Sequence, residues 1–390
     1  MKVGIFINAI ATDGAICHTD LCRQFAEMGH TGRIYARGFQ GIDDSIPKTE
    51  IKIDQLKAPE WWRGEAMDLA IFYSVGRFEP AILKLAREVG ATVVLECDSD
   101  GYFSVRQDPL RFLRVTMWHP SYSYQKKAKI LKAWLHSWLI EGKEQDKAVF
   151  DSFELADYLK IESEEPARIL REFLARRGRS NLAKKIVVIP FAVRRRFTEG
   201  PVRVDRQDLI IAAGRLGAQQ KDPFLLEQAL RRYLDTPDPV PVELHIRGDA
   251  PNLERLAESN KKLQLFKNTP PKVFCGRLAD AQVLLSTSRF ESTPIQGLEA
   301  LCQGCTLVAS DRVPGYKSLI ADGVFGETFR GSSADDCVHA LQQEIERRKK
   351  GLRDPEKIAA EWRGRCSLET VSARLLSLRP LAQGGPVSPS

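Results

Sequence analysis

The chain has 390 residues, of which 43% are hydrophobic and 28% are charged. These shares are average for soluble globular proteins, so they exclude collagen-like, coiled-coil and disordered classes, and the length predicts two domains. Lys and Arg number 58 against 51 for Asp and Glu, and the net charge of +7 favours contact with anions such as nucleotides or an anionic membrane surface.

No signal peptide precedes the first strand-like run, residues 2–7, and no stretch of 18 consecutive apolar residues occurs. We therefore expect a cytoplasmic protein. The eight cysteines lack the paired spacing of a zinc site, so reduced thiols in the core are expected. Cys302 and Cys305 have C-x-x-C spacing, but no redox-type segment precedes them.

Short β-branched runs alternate with amphipathic stretches along the chain, which is typical of parallel strands joined by helices. The predicted fold class is therefore α/β. In chain order, the strands predicted in the first half are residues 3–8, 33–36, 69–73, 92–97, 147–151 and 186–190. Those predicted in the second half are residues 209–214, 242–247, 273–276, 283–286 and 306–310.

A polar segment that ends in Gly200-Pro201 suits a linker between the two series of strands. We predict two Rossmann-like, doubly wound domains at residues 1–195 and 196–365 that face a central cleft, with ligands at the carboxyl ends of the strands. Residues 366–382 have helical periodicity and are expected to return to the N-terminal domain. Residues 383–390 have nothing to bury and are expected to be disordered.

The most informative segment, residues 288–301, runs from a predicted strand end into a helix. Thr293 suits the N-cap, Pro294 the first helical position and Gln296 a capping box, so the helix is predicted to begin at Pro294. Because a helix N-terminus exposes unpaired amides and a partial positive charge, we expect a phosphate or a sugar group at the backbone of Ser292, Thr293, Pro294 and Ile295.

Two carboxylates and two cations complete the candidate site. Glu291 lies at the start of this helix, and Glu299 is eight positions on, at most about 12 Å along a helix. That span is comparable with the reach from a hexose through a diphosphate to a ribose. Arg215 follows a predicted strand and Lys221 precedes the next helix, so both can neutralise a departing diphosphate without a metal.

This order of residues resembles glycosyltransferase family 4, which has the GT-B fold. The likeness consists of Gly214-Arg215 with Lys221, Ser288-x-x-Glu291 and then Glu299-Ala300-Leu301. Residues 186–193 are similar to the family's hinge run, and Met28-Gly29-His30 to the Gly-His that ends its first helix.

The resemblance implies a retaining, metal-independent enzyme without a cofactor, whose donor is a nucleoside diphosphate sugar, with UDP or GDP expected. It implies that Glu291 contacts the donor sugar, that Glu299 binds the ribose, and that Arg215 and Lys221 bind the diphosphate. The acceptor is expected to be a small molecule, a glycan or a lipid-linked glycan. The sequence leaves the sugar, the acceptor and the oligomeric state open.

The first half departs from the family pattern. The double-glycine acceptor loop is represented by Asp13 and Gly14, with His18 entering the first helix. Where the family places a histidine after the fourth strand, this sequence has Asp98, which we predict to be catalytic or sugar-binding. For Asp98, the alternative is a simple Asp-Gly turn. Asp100 is predicted to lie on the same acceptor side.

Other functions fit parts of the sequence. Asp98-Ser99-Asp100 is formally the D-x-D by which GT-A transferases hold Mg²⁺ or Mn²⁺. A nucleotide-sugar epimerase, a phosphorylase and a non-catalytic sugar-nucleotide-binding subunit are further alternatives. Nucleic acid is not an expected partner, because no recognition motif is present.

A basic segment, residues 126–139, suggests a peripheral membrane contact on the inner face. It has helical character with aromatic anchors, and the alternative is a core-facing helix with a solvated basic face. Its charged and aromatic residues are Lys126, Lys127, Lys129, Lys132, Trp134 and Trp138.

Overall fold

The computed structural model describes residues 1–7, 16–73, 75, 78–119 and 122–380. The chain forms two compact units. The first unit comprises Met1–Pro109, Ala133–Arg194 and Leu368–Ser390, and the second comprises Leu110–Lys132 and Arg195–Ser367. Residues 110–132 fall inside the predicted domain 1–195, yet they belong to the second unit. Asp13, Gly14 and the tail 383–390 lie outside the described residues.

Among its described residues, the first unit has a parallel sheet of seven strands in the order β3-β2-β1-β4-β5-β6-β7. The strands are β1 Lys2–Ile7, β2 Thr31–Ala36, β3 Lys48–Glu50, β4 Leu69–Tyr73, β5 Thr92–Glu96, β6 Tyr158–Ile161 and β7 Ile186–Val188. Its helices are α1 Ile16–Glu27, α2 Ile53–Leu56, α3 Pro59–Glu65, α4 Pro80–Glu88, α7 Gly142–Leu155, α8 Glu164–Arg176, α9 Ser180–Ala183 and α18 Leu368–Ser377.

The second unit, so far as its residues are described, has a parallel sheet of six strands in the order β10-β9-β8-β11-β12-β13. The strands are β8 Ile210–Gly214, β9 Val242–Ile246, β10 Leu263–Lys267, β11 Val283–Ser286, β12 Thr306–Ser310 and β13 Gly326–Phe329. Its helices are α10 Arg195–Thr198, α11 Pro223–Leu234, α12 Pro251–Ser259, α13 Pro271–Asp280, α14 Ile295–Cys302, α15 Pro314–Ile320, α16 Ala334–Lys349 and α17 Pro355–Cys366.

Between β5 and β6 the chain leaves the first unit and returns. This part contains α5 Pro109–Arg111, a π-helical segment Phe112–Met117, α6 Tyr124–His136 and a second π-helical segment Ser137–Glu141. Across the part of the chain that the structure describes, no helix is long and apolar enough to cross a bilayer.

Central strands of both sheets are buried on both faces, which explains their continuous apolar sequences. In β11, for example, Val283, Leu284 and Leu285 are each at most 2% exposed. Parallel strands end at one edge of a sheet, so the carboxyl ends of β8 and β11, which are hydrogen-bonded neighbours, bring their following loops together.

Two predicted strands are wrong. Residues 147–151 lie in α7, where Asp146, Phe150 and Phe153 are buried at helical spacing. Residues 273–276 lie in α13, which begins at Pro271 and buries Leu278. Both predictions failed because a short apolar run does not by itself distinguish a strand from a helix face.

A buried ion-pair cluster ties α13 to β9. Glu243 accepts hydrogen bonds from His245 Nε2 and Arg277 Nε, each at 3.0 Å, and from the terminal nitrogen of the same guanidinium. Burial raises the pKa of Glu243, but the hydrogen bonds from His245 and Arg277 outweigh it and lower the pKa to about 2.

The C-terminal helix α18 lies in the first unit. Leu368, Val371 and Leu375 are buried in the same core as Val3 and Ile5 of β1. The N-terminal strand and the C-terminal helix therefore stabilise one another.

Candidate functional site

At the carboxyl ends of β8 and β11, the second unit brings Lys221 and Glu291 into contact. Lys221 Nζ donates to Glu291 Oε1 at 2.5 Å, and Ser288 Oγ donates to the same oxygen at 2.6 Å. The side chains of Lys221 and Glu291 are 12% and 9% exposed. Two of the predicted donor-site residues, 70 positions apart in sequence, thus form a largely buried ion pair.

Gly214 lets the chain turn out of β8 toward this pair. Its φ of +111° is in a region that side chains rarely adopt. A Cβ atom here would lie 3.2 Å from the amide of Gln296 and 3.4 Å from Lys221 Cε. The glycine therefore lets the side chains of Gln296 and Lys221 approach the end of β8 closely.

The helix α14 begins at Ile295, so the prediction that it begins at Pro294 is wrong. Pro294 is the N-cap, with φ −78° and ψ 68°, and no side chain caps the helix. Gln296, predicted to complete a capping box, lies beside Gly214 instead. The ring of Pro294 fixes its φ near the helical value, but its ψ lies outside the helical range, so the helix starts one residue later.

The predicted anion cradle at residues 292–295 has fewer donors than expected. Pro294 has no N–H group, and Ile295 N donates to Thr293 O at 2.9 Å. Ser292 and Ile295 are exposed, whereas Thr293 and Pro294 are buried. An anion at this point cannot use all four backbone amides.

Arg215 and Glu299 lie in different surroundings from the ion pair. Arg215 is exposed directly after β8, and its guanidinium donates to Gln220 Oε1 at 3.1 Å. Glu299 is 8% exposed on α14. The pKa of the Cys275 thiol is raised mainly by burial of that thiol, and the charge of Glu299 raises it further.

A second ion-pair cluster next to Lys221 was not anticipated. Asp222 Oδ2 pairs with Arg289 at 3.3 Å and with Arg312 at 3.4 Å. The Asp222-Pro223 pair is typical of a helix start, and Asp222 indeed caps α11 by accepting from Leu225 N. No pattern in the sequence indicates that the same carboxylate also holds two arginines.

In the first unit, the structure brings His18 and Asp98 to the same tyrosine. Asp98 Oδ2 accepts from Tyr73 Oη at 2.7 Å, and the His18 ring meets the Tyr73 ring edge to face at 4.6 Å between centroids. His18 is 3% exposed, and burial lowers its pKa. Asp100 Oδ1 accepts from Tyr102 N at 3.2 Å, as in an ordinary Asx turn.

A buried network that sequence reasoning missed lies on the neighbouring strands. Lys160 Nζ is 2.5 Å from Glu96 Oε1 and 3.5 Å from Glu162 Oε1, and all three residues are at most 6% exposed. Burial raises the pKa of Glu162 to about 8. With His18, Glu96 and Lys160 line a cavity of about 10 Å³, which has room for one water molecule.

Within residues 1–7, 16–73, 75, 78–119 and 122–380, no group of three or more His, Cys, Asp or Glu side chains is arranged to hold a metal ion. The carboxylates of Asp98 and Asp100 instead accept hydrogen bonds from Tyr73 Oη and Tyr102 N.

In comparisons with known proteins, the family match falls almost entirely within the second unit. Residues 194–362 match the protein family described as glycosyl transferases group 1. The lipopolysaccharide 1,6-galactosyltransferase of Salmonella typhimurium is 26% identical over 185 residues, which cover 45% of this chain and 50% of that protein. The matched part of the chain thus spans about half the length of that curated relative.

Solved structures share the fold over nearly the whole chain. A glycosyltransferase from Rickettsia africae has a TM-score of 0.65 at 14% identity, with 96% of this chain and 97% of that chain covered. HepE of Anabaena in complex with UDP and glucose has a TM-score of 0.64 at 15% identity, with 97% and 100% covered. The lipopolysaccharide outer core galactosyltransferase WaaB has a TM-score of 0.62 at 18% identity, with 96% and 98% covered.

Proposed function

We propose that the protein transfers a sugar from a nucleoside diphosphate sugar to an acceptor. The proposal is supported by the match of residues 194–362 to the glycosyl transferases group 1 family and by the GT-B fold of the chain. The acceptor is a glycan, a lipid-linked glycan or a small molecule of glycoconjugate biosynthesis. The GT-A alternative does not apply to a chain with the GT-B fold.

The observation that carries this proposal is the Lys221–Glu291 ion pair at adjacent strand ends. The Lys221 ammonium donates to the Glu291 carboxylate at 2.5 Å. A diphosphate can attract this ammonium, because charge-assisted hydrogen bonds to phosphate oxygens are strong. Glu291 is then available to accept from a sugar hydroxyl, while Lys221 neutralises the leaving diphosphate.

The remaining donor roles are part of the same proposal. Arg215 is exposed directly after β8, and a turn of its side chain from Gln220 would bring a second cation to the diphosphate. Glu299 binds the ribose hydroxyls, and the backbone of Ser292 and Thr293 contributes to phosphate binding. Asp98, His18 and Asp100 act on the acceptor side. Transfer proceeds with retention and without a metal.

A donor panel tests the proposal. Thermal stability is measured with UDP, GDP, ADP, TDP and their sugars, because a ligand that binds the native state raises its stability. UDP or GDP is expected to stabilise the protein, and HepE of Anabaena was solved with UDP. Stabilisation by none of these nucleotides and sugar nucleotides would contradict a nucleotide-sugar donor.

Two variants test the residue roles with the stabilising sugar nucleotide as donor. Lys221→Ala and Glu291→Ala are expected to lower donor consumption by orders of magnitude. Lys267→Ala is the matched control, since Lys267 also pairs with a glutamate, Glu254 at 2.9 Å, but on the surface. Unchanged turnover in folded Lys221→Ala and Glu291→Ala would remove these roles.

The products separate the alternatives. Conversion without an acceptor indicates an epimerase, and dependence on inorganic phosphate indicates a phosphorylase. Donor binding without turnover on a broad acceptor panel indicates a non-catalytic subunit. With a productive acceptor, NMR of the new glycosidic linkage is expected to show retention, and EDTA is expected to leave the rate unchanged.

The proposed setting is the cytoplasm, at the inner face of a membrane that supplies a lipid-linked acceptor. Helix α6 and the π-helical segment after it carry four lysines, and Leu139 and Ile140 are 62% and 64% exposed. Lysines with exposed apolar side chains suit an anionic lipid surface. Leu139→Asp with Ile140→Asp should reduce sedimentation with phosphatidylglycerol vesicles, whereas Val324→Asp, at a 58% exposed site of the second unit, should not.

A further inference from the structure

A segment from the insertion between β5 and β6 lies against the loop that carries Lys221. We refer to residues 112–119 as the strap, and it belongs to the second unit. Gln219 Nε2 donates to Thr116 O of the strap at 3.2 Å, and Gln219 Oε1 accepts from Tyr122 Oη, three residues beyond the strap, at 2.5 Å. Both contacts fix the start of the 3₁₀ turn Gln219–Lys221.

Arg289 is hydrogen-bonded to the strap. Its guanidinium, 3% exposed, donates to the carbonyl oxygens of Arg114 at 2.6 Å, Val115 at 3.2 Å and Trp118 at 2.5 Å. Carbonyl groups in the last turn of a helical segment have no hydrogen-bond donor within that segment. Here the Arg289 side chain donates to three such carbonyl groups at the end of the strap. The strap and Arg289 therefore depend on each other, because a buried guanidinium without acceptors is costly.

Asp222 links this arrangement to the 3₁₀ turn. It adopts a left-handed conformation, with φ +50°, that is unfavourable for a residue other than glycine. Its carboxylate pairs with Arg289 and Arg312 and caps α11. His119, at the end of the strap, places Nε2 at 3.7 Å from Asp222 Oδ1. These contacts compensate the strained backbone directly after Lys221.

The loop that follows β11 holds the other side of the turn. Arg289 N donates to Gln220 O and Thr287 Oγ1 donates to Lys221 O, both at 2.8 Å. Lys221 thus lies on a short turn fixed by the strap on one side and by residues 287–289 on the other. The position of its ammonium depends on both.

We propose that Arg289 and Asp222 are positioning residues of the donor site, which hold the strap on the 3₁₀ turn so that Lys221 meets the donor diphosphate. This proposal rests on the proposed function. The donor site of the second unit is then built partly from a segment that is separated from Arg195–Ser367 by the whole of Ala133–Arg194 in sequence.

Arg289→Lys tests it in the full chain, because lysine keeps the charge but cannot reach three carbonyl groups and a carboxylate at once. Amide hydrogen exchange of peptides over residues 112–119 and 215–222 should become at least tenfold faster, and the Kd for UDP, measured calorimetrically, should rise at least tenfold. The control is Arg206→Lys, since Arg206 also holds carbonyl groups, those of Ala281 and Gln303, away from the strap. It should change neither readout.

The outcomes are distinct from those of the function proposal. Faster exchange of the strap with unchanged exchange at residues 215–222, or with unchanged Kd, would overturn the positioning role. If none of UDP, GDP, ADP, TDP and their sugars binds the wild type, the function proposal fails, and the exchange data alone decide whether the strap fixes the turn. Should Arg289→Lys not fold, Tyr122→Phe removes only the hydroxyl donated to Gln219 and should raise exchange at residues 215–222 at least threefold; no change would refute the proposal.

Discussion

The Lys221–Glu291 pair should be energetically coupled in the protein without a donor. We expect Lys221→Met and Glu291→Leu each to destabilise the second unit by about 2–4 kcal/mol, because each leaves one buried charge without its counter-ion. The double variant should lie within about 1 kcal/mol of the wild type, since apolar side chains can replace a buried pair at little cost.

The geometry sets this magnitude. At 2.5 Å and an effective dielectric constant of about 20, the Coulomb attraction is about 7 kcal/mol. Desolvation of both ions offsets most of it, because the side chains are only 12% and 9% exposed. A single variant keeps the desolvation cost of the remaining charge and loses the attraction. Ser288, which donates to Glu291 at 2.6 Å, moderates the loss in Lys221→Met.

Hydrogen exchange measured by mass spectrometry in peptides over β11 and β12 reports the local loss of stability in each variant. A loss of about 2–4 kcal/mol corresponds to exchange about 30- to 700-fold faster at about 1.4 kcal/mol per tenfold change. Lys350→Met is the control, since its pair with Glu346 is more than half exposed and should change exchange by less than about fivefold. If the costs of the two single variants add in the double variant, the pair is not coupled and the reasoning is refuted.

Three further predictions concern stability. Glu243 has a folded-state pKa of about 2 against its usual 4.5, so its contribution to stability is complete above pH 4.5 and is lost as the pH falls toward 2. In the wild type this loss is about 2 kcal/mol of unfolding free energy between about pH 5 and pH 3, and Glu243→Gln should abolish it. Urea unfolding of both proteins at these pH values measures the loss, and an unchanged pH profile would contradict the assignment. Gly217→Ala should destabilise, since its Cβ would lie 1.9 Å from Asp249 O, whereas Gly276→Ala, with no atom within 4 Å in α13, should stabilise by about 0.5–1 kcal/mol; thermal shifts of equal sign would refute this comparison. Asp354→Ala should cost about 1 kcal/mol in thermal unfolding, because Asp354 caps α17 by accepting from two backbone amides, and Asp354→Asn should retain most of it.

The parallel strands at the centre of each sheet were predictable from sequence. Residues 69–73, 283–286 and 306–310 are strands with the predicted bounds, because strands buried on both faces need continuous apolar runs. The strand Tyr158–Ile161 was missed because Lys160 interrupts its apolar pattern. Only the tertiary structure shows that Glu96 lies opposite Lys160 on the neighbouring strand and compensates its charge.

The site was predictable only in part, for a similar reason. Local signals, such as a strand end followed by a helix start, indicated Lys221 and Glu291, and the structure brings the two together. The role of Arg289 has no local signal, since its carbonyl partners lie more than 170 residues earlier in the chain. Arg215 and Glu299 remain predictions, because their contribution depends on a donor.

The course of the chain limits how this protein can be recombined. The polypeptide passes from one unit to the other after residues 109, 132, 194 and 367. A chimaera joined at the linker near residue 195 would combine its own donor-binding half with a strap from another parent, whose carbonyl groups need not meet Arg289. Exchange of donor preference between relatives, in the laboratory or in evolution, would therefore require residues 110–132 to be inherited together with the second unit.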